Sequence, residues 1–459
     1  MNRSNKCAAT LAAGSIAALA GAASAQCDAA NAFVTPPTVL NNGSGHGTST
    51  GARFLDVTGN GHLDLLVGQG KLIFDVAPDR AGIAVYPGDG NGGFGTPFLV
   101  GVEGSANPSF TRGGPRSIAG GDLTGNGFKD IVAGTQGVEF IRNNGDGTFA
   151  DPVVFYDTGP GEGINDLDIA DVNGNGHLDI IATDTGGATV LIAYNDGMGN
   201  FNLGNAEFLF SLRPTAARAG DFNNNGRIDI AIANSQTSPP SVTVWFQQPN
   251  GTFVSGGDMP LLHGPEDLGV GDFDNDGNLD VVVTGGGGGG VAIFYGDGAG
   301  GFTPAQNVAI TGTNFALELA VGDIDGDGVD DIAVGTLTTA GSGALGVLLS
   351  NGDRTFREGL AISTGLPRKV DLGDLNGNGR LEATHAISSF SADNTPVFEN
   401  GCADICVADL NGDGVVDADD FFLFLTLFAA ADPIADINGD GVIDADDFFA
   451  YLSLFAAGC

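Results

Sequence analysis

Short apolar segments alternate with segments rich in glycine, asparagine and aspartate over most of the chain. Ile131–Ala133, Ile180–Ala182 and Val281–Val283 are short, rich in β-branched residues and bounded by turn residues, so each is predicted to be a strand. Longer apolar segments such as Val242–Phe246 follow them, and a glycine-rich turn then closes a hairpin. No helical periodicity occurs before residue 400. The pattern therefore predicts an all-β domain.

A nine-residue polar loop recurs seven times between the predicted strands. Every copy has Asp at position 1, Gly at position 6 and a carboxylate at position 9, and successive copies begin 49 to 66 residues apart. Six copies are followed by a turn that ends in phenylalanine, as at Asn144–Phe149. Four short strands in about 50 residues make one propeller blade, because nothing smaller lets such a repeat bury both sheet faces. In chain order, loops 1 to 7 are Asp56–Asp64, Asp122–Asp130, Asp171–Asp179, Asp221–Asp229, Asp272–Asp280, Asp323–Asp331 and Asp374–Glu382.

These loops and turns resemble the FG-GAP/VCBS repeat family, which includes bacterial surface propellers and the head of integrin α chains. The resemblance covers roughly residues 33–399, with seven copies in register. It implies a seven-bladed β-propeller that holds calcium in the loop between the first two strands of each blade. The expected propeller domain spans residues 26–399.

The loop side chains independently favour a calcium ion. Positions 1, 3, 5 and 9 offer only oxygen atoms, position 7 offers its carbonyl group, and such cages suit a hard cation, Ca²⁺ above all. Loops 5 and 6 carry four carboxylates each, and the other loops carry two. The alternative is that a loop binds no ion and its Asn, Asp and Gly residues only form a good turn. This alternative applies most of all to loops 1 and 2, which have Thr58 and Thr124 at position 3. The candidate ligands are Asp56, Asn60, Asp64, Asp122, Asn126, Asp130, Asp171, Asn173, Asn175, Asp179, Asp221, Asn223, Asn225, Asp229, Asp272, Asp274, Asp276, Asp280, Asp323, Asp325, Asp327, Asp331, Asp374, Asn376, Asn378 and Glu382.

The spacing also predicts how the ring closes. Phe33 precedes loop 1 by 23 residues, within the range of 18 to 28 that separates each turn phenylalanine from the next loop. The segment Phe33–Leu40 therefore occupies the place of an outermost strand. The last repeat has strand-like segments only at Thr384–Ser388 and Pro396–Glu399. We expect the N-terminal strand to complete blade 7.

A different module is predicted at residues 401–459. Two twelve-residue loops begin 27 residues apart, with acidic or amide residues at positions 1, 3, 5, 9 and 12 and Gly at position 6, which is the EF-hand loop pattern with Asp at position 12. Each runs into an apolar segment, Phe421–Ala431 or Phe448–Ala457, that is long enough for a helix. The candidate ligands are Asp409, Asn411, Asp413, Asp417, Asp420, Asp436, Asn438, Asp440, Asp444 and Asp447.

This duplicated loop–helix unit resembles a type I dockerin, and its Gly458-Cys459 ending resembles a variant found at the C termini of many bacterial exported proteins. The resemblance implies calcium binding and a cohesin partner. Positions 10 and 11, often Ser or Thr in that family, are Ala418-Asp419 and Ala445-Asp446 here, which puts the cohesin partner in doubt. The phenylalanine-rich helices could pack either against each other or against the propeller.

The N-terminal residues predict export. Arg3 and Lys6 precede the apolar segment Cys7–Ala23, and Ala23-Ser24-Ala25 is a small-residue cleavage site, so residues 1–25 are predicted to be a secretory signal peptide. No later segment reaches the roughly 18–20 apolar residues of a membrane span. We expect a secreted or cell-surface protein. The remaining cysteines, Cys27, Cys402, Cys406 and Cys459, predict disulfides with three alternative pairings.

Charge and composition limit the function. A net charge of −39, from 17 Lys and Arg against 56 Asp and Glu, makes nucleic acid and anionic lipid poor partners. The histidines are scattered and 26 of the 56 acids lie in the predicted metal loops, so pairs such as Asp166 and Asp168 are weak acid–base candidates. We expect a non-catalytic scaffold that binds a protein or glycan at the cell surface.

The alternative is a carbohydrate-active enzyme, a polysaccharide lyase or glycosidase built on the propeller. Trp245 is the single tryptophan and the chain has five tyrosines, which are few for a platform that stacks sugars. Arg112 and Arg116, in the long insertion between blades 1 and 2, form the best remaining candidate site for an anionic ligand.

Overall fold

The computed structural model describes most of the predicted propeller and parts of the C-terminal module. The described residues form 28 strands in seven four-stranded antiparallel sheets, and two α-helices near the C terminus. The described residues are 32–33, 38–41, 49–69, 82–101, 115–159, 163–285, 289–362, 366–388, 394–401, 408, 410, 416–430, 435, 437 and 442–457.

Blades 1 to 4 each consist of four strands that follow one another in the chain and pair with their sequence neighbours. Blade 1 contains β2 (Ser49–Leu55), β3 (Asp64–Gln69), β4 (Gly82–Tyr86) and β5 (Phe98–Val100). Blade 2 contains β6 (Ser117–Gly121), β7 (Asp130–Gly134), β8 (Gly137–Ile141) and β9 (Val153–Asp157). Blade 3 contains β10 (Ile164–Ala170), β11 (Asp179–Asp184), β12 (Thr189–Ala193) and β13 (Glu207–Phe210), with a 3₁₀ turn at Leu203–Asn205. Blade 4 contains β14 (Pro214–Gly220), β15 (Asp229–Asn234), β16 (Ser241–Gln247) and β17 (Phe253–Pro260).

Blades 5 and 6 repeat this arrangement, whereas blade 7 takes its fourth strand from the N terminus. Blade 5 contains β18 (Pro265–Gly271), β19 (Asp280–Gly285), β20 (Gly290–Phe294) and β21 (Gln306–Ala309). Blade 6 contains β22 (Thr313–Gly322), β23 (Asp331–Thr338), β24 (Gly343–Ser350) and β25 (Phe356–Ile362). Blade 7 contains β26 (Leu366–Gly373), β27 (Glu382–Ser388), β28 (Asn394–Phe398) and β1 (Thr38–Asn41).

The seven sheets form a closed ring. The first strands of consecutive blades contact one another, and β26 of blade 7 contacts β2 of blade 1. In blade 7, β1 runs antiparallel to β28, with Thr38 opposite Val397 and Asn41 opposite Asn394. The strand in this outermost place contains the last three residues of the predicted segment Phe33–Leu40 together with Asn41, and Phe33 itself forms a bridge with Asn400. The chain is thus a seven-bladed β-propeller.

The apolar core is divided into seven clusters, one at each seam between neighbouring blades. At the seam between blades 7 and 1, Phe54 and Val67 pack with Ala386 and Val397, all at most 5 % exposed. Successive residues of a strand point to opposite faces of the sheet, and each face meets the next blade. The side chains of the second strands are therefore buried almost throughout.

The C-terminal helices are α1 (Ala418–Ala429) and α2 (Ala445–Ala457). Both begin three residues before the predicted apolar segments, because acidic residues cap them. Asp417 accepts a hydrogen bond from the Asp419 backbone N–H at 2.9 Å, and Asp420 accepts one from the Asp417 N–H at 2.9 Å. The buried rings of Phe424 and Tyr451 stack with centroids 3.9 Å apart, so the two helices pack against each other.

Several sequence predictions concern residues outside the described set. Among the described residues, no helix is long and apolar enough to cross a membrane. The signal peptide at residues 1–25 and the insertion residue Arg112 lie outside that set, as do Cys27, Cys402, Cys406, Cys459, Asp409, Asn411, Asp413, Asp436, Asn438 and Asp440.

Candidate metal centres

The first aspartate of each loop holds the loop backbone in a tight turn, as loop 5 shows. Asp272 accepts the Asp276 N–H at 3.1 Å through Oδ1 and the Gly277 N–H at 2.8 Å through Oδ2. The position-5 carboxylate of Asp276 accepts the Asn278 N–H at 2.9 Å. Gly277 has a φ of +86°, in the left-handed region that favours glycine, which explains why position 6 is glycine in all seven loops.

The carboxylate at position 9 has a structural role that the sequence did not show. Asp280 is fully buried, and its two oxygens accept the Phe273 N–H at 2.9 Å and the Gly296 N–H at 2.8 Å. Gly296 begins the turn after the third strand, so Asp280 joins the loop to that turn. Burial raises the pKa of Asp280 to about 7. The equivalent carboxylates that accept backbone N–H groups are Asp64, Asp130, Asp179, Asp229, Asp331 and Glu382.

Positions 1, 3 and 5 come together in loops 5 and 6. One carboxylate oxygen from each of Asp272, Asp274 and Asp276 lies within 4.8 Å of the others, and the same is true of Asp323, Asp325 and Asp327. Three carboxylates this close repel one another unless a cation lies among them. In the loops with amides, the position-5 side chains of Asn60, Asn126 and Asn175 donate to carbonyl groups in the turn after the third strand.

Two buried amide or carboxylate oxygen atoms at position 3 lack a hydrogen-bond partner, as does the buried hydroxyl oxygen of Thr124 at position 3 of loop 2. The two are Oδ1 of Asp274 in loop 5 and Oδ1 of Asn223 in loop 4. The Asp274 side chain is only 6 % exposed, and Asn223 uses its amide nitrogen to donate to Asp229 at 3.0 Å. Burying an acceptor with no partner is costly, so these oxygens are candidate ligands for a bound ion. The donor set is entirely oxygen, which fits Ca²⁺.

A second group of charged residues, which sequence reasoning missed as a group, lies on the propeller axis. The first strand of each blade turns alternate side chains inward, around a central cavity of about 470 Å³. Eight charged residues of these strands stand three or five positions before the first aspartate of a loop, a spacing visible in the sequence that could have revealed them. They are Arg53, Asp166, Asp168, Arg218, Asp267, Glu318, Lys369 and Asp371.

The axial charges pair with one another. Lys369 contacts Asp166 at 3.1 Å and Glu318 at 3.0 Å, and Arg218 binds Asp166 and also contacts Asp267 at 3.4 Å. Burial opposes the ionisation of Asp166, but Arg218 and Lys369 together lower its pKa to about 2. Burial raises the pKa of Glu318 to about 7. The network contains residues from blades 3 to 7.

Axial carboxylates also cross the seams. Asp168 accepts the Ala219 N–H at 2.9 Å between blades 3 and 4, and Asp267 accepts the Leu319 N–H at 3.1 Å between blades 5 and 6. Asp371 of blade 7 accepts the Phe54 N–H of blade 1 at 2.6 Å. Asp166 and Asp168, considered above as an acid–base pair, thus both have structural partners.

Comparison with known proteins agrees with the repeat. Four overlapping segments, 122–182, 171–232, 221–283 and 272–334, match the family model described as FG-GAP-like repeat. The chain contains FG-GAP-like repeats. Each matched segment begins at the first aspartate of a loop, from loop 2 to loop 5, and together they run from loop 2 of blade 2 into the second strand of blade 6. None of the curated proteins compared with the chain matches it.

Solved structures of BBS1N share this fold at low identity. BBS1N in complex with ARL6DN, soaked with lead, is 10 % identical over 81 % of this chain and 97 % of its own, with a TM-score of 0.53, and the mercury-soaked crystal gives 0.52. An Agrocybe aegerita lectin that recognises non-reducing terminal N-acetylglucosamine is 21 % identical over 72 % of this chain and 90 % of its own, with a TM-score of 0.46. At 10 % identity the likeness to BBS1N concerns the fold alone.

Proposed function

We propose that the chain is an exported, calcium-binding propeller that acts as a binding scaffold, with a dockerin-like C-terminal tether. The observation that carries the calcium assignment is the pair of unpartnered buried oxygens of Asp274 and Asn223 at the same position of two FG-GAP-like loops. The carboxylate clusters of loops 5 and 6 add to it. A bound ion would satisfy the orphaned oxygens and the local negative charge together.

Calcium would stabilise the folded ring because only the folded loops bring the ligand oxygens together. Binding to the folded state alone stabilises a protein in proportion to the logarithm of the free ligand concentration. Calorimetric titration of the mature protein with calcium should show a larger loss of affinity for Asp276→Ala, which removes a carboxylate, than for Asn175→Ala, which removes an amide. Equal losses would contradict the ranking of the loops by carboxylate number. A melting temperature that does not change between calcium and chelator would contradict the calcium assignment itself.

The contacts of Asp166 and Asp168 support a structural role for this acid pair. General acid–base chemistry needs a group that can exchange a proton with a substrate. Here Asp166 is held ionised by Arg218 and Lys369, and Asp168 accepts the Ala219 N–H. Such pairing suits carboxylates that fix the first strands in place.

The face opposite the calcium loops is our candidate for the binding surface. Phe210, Leu212, Leu262 and Phe315 are 80 %, 57 %, 77 % and 44 % exposed. They lie in or beside the connections that lead from one blade into the next, at the entry to blades 4, 5 and 6. In an antiparallel four-stranded blade such a connection lies at the opposite end from the loop between the first two strands, which is the proposed calcium loop. Large exposed apolar side chains on consecutive blades suit a protein partner.

Surface variants test this binding face. Phe210→Ser and Leu262→Ser should reduce binding of the purified mature protein to the surface of the cells that produce it. Val153→Ser is the matched control, because Val153 is 58 % exposed on the outermost strand β9. Equal binding by all three variants would contradict the assignment of this face.

The C-terminal helices support a tether. Phe422 and Phe449 occupy the same position in the two loop–helix units and are 62 % and 63 % exposed, while Phe424 and Tyr451 are buried between the helices. Two equivalent exposed rings on a small helical pair fit a cohesin-type or other surface partner. Phe422→Ser and Phe449→Ser should weaken cell-surface attachment without changing the helical circular dichroism, and unchanged attachment would contradict this role.

A further inference from the structure

Arg354 occupies a position where the equivalent turns have glycine. In blades 1 to 5, the residue two before the turn phenylalanine is a glycine with φ between +77° and +90°, whereas blade 6 has Arg354 with a φ of +69°. The left-handed region is strained for a residue with a Cβ atom. Strain of this kind persists where the side chain has a role that the surrounding structure supports. The five glycines are Gly92, Gly147, Gly199, Gly251 and Gly300.

The Arg354 side chain reaches across the seam from blade 6 to blade 5. Its Nε donates to Oδ2 of Asp274 at 2.7 Å, and its Nη2 lies 2.6 Å from the same oxygen. The guanidinium group also lies over the Tyr295 ring, 4.4 Å from the centroid. Both partners belong to blade 5, so the strained turn of blade 6 places a cation directly on loop 5.

This contact leaves the two oxygens of Asp274 in different situations. Oδ2 is held by Arg354, whereas Oδ1 is buried and has no hydrogen-bond partner. A ligand oxygen of Asp274 lies within 4.8 Å of those of Asp272 and Asp276. Carboxylates that bind metals are themselves oriented by hydrogen bonds to their other oxygen. Arg354 therefore fixes the orientation in which Asp274 can offer Oδ1 to an ion.

Loop 6 has a similar arrangement from a different residue. Arg357, three positions further along, contacts Oδ2 of Asp325 at 2.5 Å, and Asp325 is the position-3 residue of loop 6. Loops 5 and 6 are the two loops with aspartate at position 3, and both of these aspartates bind an arginine. The coincidence links the arginines to the position-3 carboxylate and not to the loops in general.

We propose that Arg354 is a positioning residue for the calcium site of loop 5, and that an ion in this loop therefore strengthens the seam between blades 5 and 6. The inference rests on the proposed calcium function. Loop 5 has four carboxylates against one guanidinium, so it keeps a larger negative charge than loop 3 with its two carboxylates. Arg354 thus orients a ligand without neutralising the site.

The test is a calcium titration of the full mature protein, followed by hydrogen exchange and mass spectrometry so that each loop is measured separately. Arg354→Gly restores the residue of the other turns and removes the side chain. It should raise the calcium concentration for half-protection of residues 271–280 by tenfold or more, the usual effect of losing an outer partner of a metal ligand. The midpoint for residues 171–179 in loop 3 should not change.

Two further variants separate charge from geometry. Arg354→Lys keeps the charge but cannot keep the planar group over Tyr295, so its midpoint should lie between those of the wild type and Arg354→Gly. Arg142→Ala is the matched control, because Arg142 is exposed in the turn after the third strand of blade 2, outside the seven loops. It should leave the loop 5 midpoint within twofold of the wild-type value. Among these variants, only Arg354→Gly should lose the calcium-dependent protection of residues 351–356.

Three outcomes would overturn the inference. A loop 5 midpoint within twofold of wild type in Arg354→Gly would show that the arginine does not position Asp274. A lower midpoint would show that it competes with the ion as a counter-charge. If no loop responds to calcium in the wild type, the proposed calcium function fails as well. If loops 3 and 6 gain protection in calcium and only the loop 5 midpoint differs from the expected value, the inference about Arg354 fails and the proposed calcium function stands.

Discussion

Asp371→Ala should lower the free energy of unfolding by about 2–3 kcal/mol, because Asp371 joins the last blade to the first. Its Oδ2 accepts the Phe54 N–H at 2.6 Å in a buried setting, and a hydrogen bond to a charged group contributes roughly 1.5–3 kcal/mol. Its Oδ1 accepts from Arg53 at 3.2 Å, but the Arg53 side chain is 50 % exposed, so this pair adds less than about 1 kcal/mol. Burial raises the pKa of Asp371, which offsets part of the gain.

Urea unfolding of the mature protein in calcium measures the loss. Asp371→Asn keeps an oxygen for the Phe54 N–H and should cost less than about 1 kcal/mol. Asp168→Ala is the matched control at an internal seam, since Asp168 accepts the Ala219 N–H in the same way. In a closed ring both alanine variants should lose similar stability, while faster hydrogen exchange should be confined to the seam that each one affects.

Two results would refute this reasoning. A stability of Asp371→Ala within about 0.5 kcal/mol of wild type, the range of ordinary surface substitutions, would show that the carboxylate does not hold the seam. Equal losses for the Asn and Ala variants would show that the Phe54 N–H gains nothing from an acceptor.

The remaining predictions concern blade 2, the N-terminal strand and the C-terminal module. Burial raises the pKa of Glu139 from 4.5 to about 7, so ionisation of Glu139 lowers the stability of the fold as the pH rises through this range. Glu139→Gln should therefore stabilise the fold by about 1–3 kcal/mol at pH 8 and have little effect at pH 4. Urea unfolding at the two pH values measures this difference. Deleting residues 26–41 removes β1, so hydrogen exchange should increase first in β28, and unchanged exchange there would contradict the closure. An oxidised fragment of residues 401–459 should gain helical circular dichroism in calcium and lose it in chelator, because short helices are unstable alone; equal helicity in chelator would show that the metal is dispensable there.

Features that depend on residues close in sequence were predictable. Short β-branched segments, repeated loops and the turn phenylalanines gave the blades, and FG-GAP-like repeats are confirmed by the family match. The two helices near the C terminus were also predicted, but each begins three residues before its predicted apolar segment. In the first helix the reason is the capping box that Asp417 and Asp420 form. The EF-hand-like ligands and the signal peptide remain predictions.

The repeat spacing predicted that the N-terminal strand closes blade 7, but the other contacts between residues far apart in the chain were not predictable from a single sequence. Arg354 lies 80 residues from Asp274, and Lys369 lies 203 residues from Asp166, so no local pattern links these partners. Position 9 was interpreted only as a metal ligand. Its role in joining loop and turn depends on Gly296 and its equivalents, whose backbone N–H groups have no signature in the sequence.

The pairing of β1 with β28 determines when folding can finish. Thr38 lies opposite Val397, about 360 residues later, so the first strand to be synthesised is among the last to find its partner. Bringing such distant segments together carries a large entropic cost, and contacts of this separation slow folding. We therefore expect blades 1 to 6 to assemble first as an open arc. The circle closes only once the end of blade 7 has been made, and chains that stop before residue 394 should keep an unpaired edge.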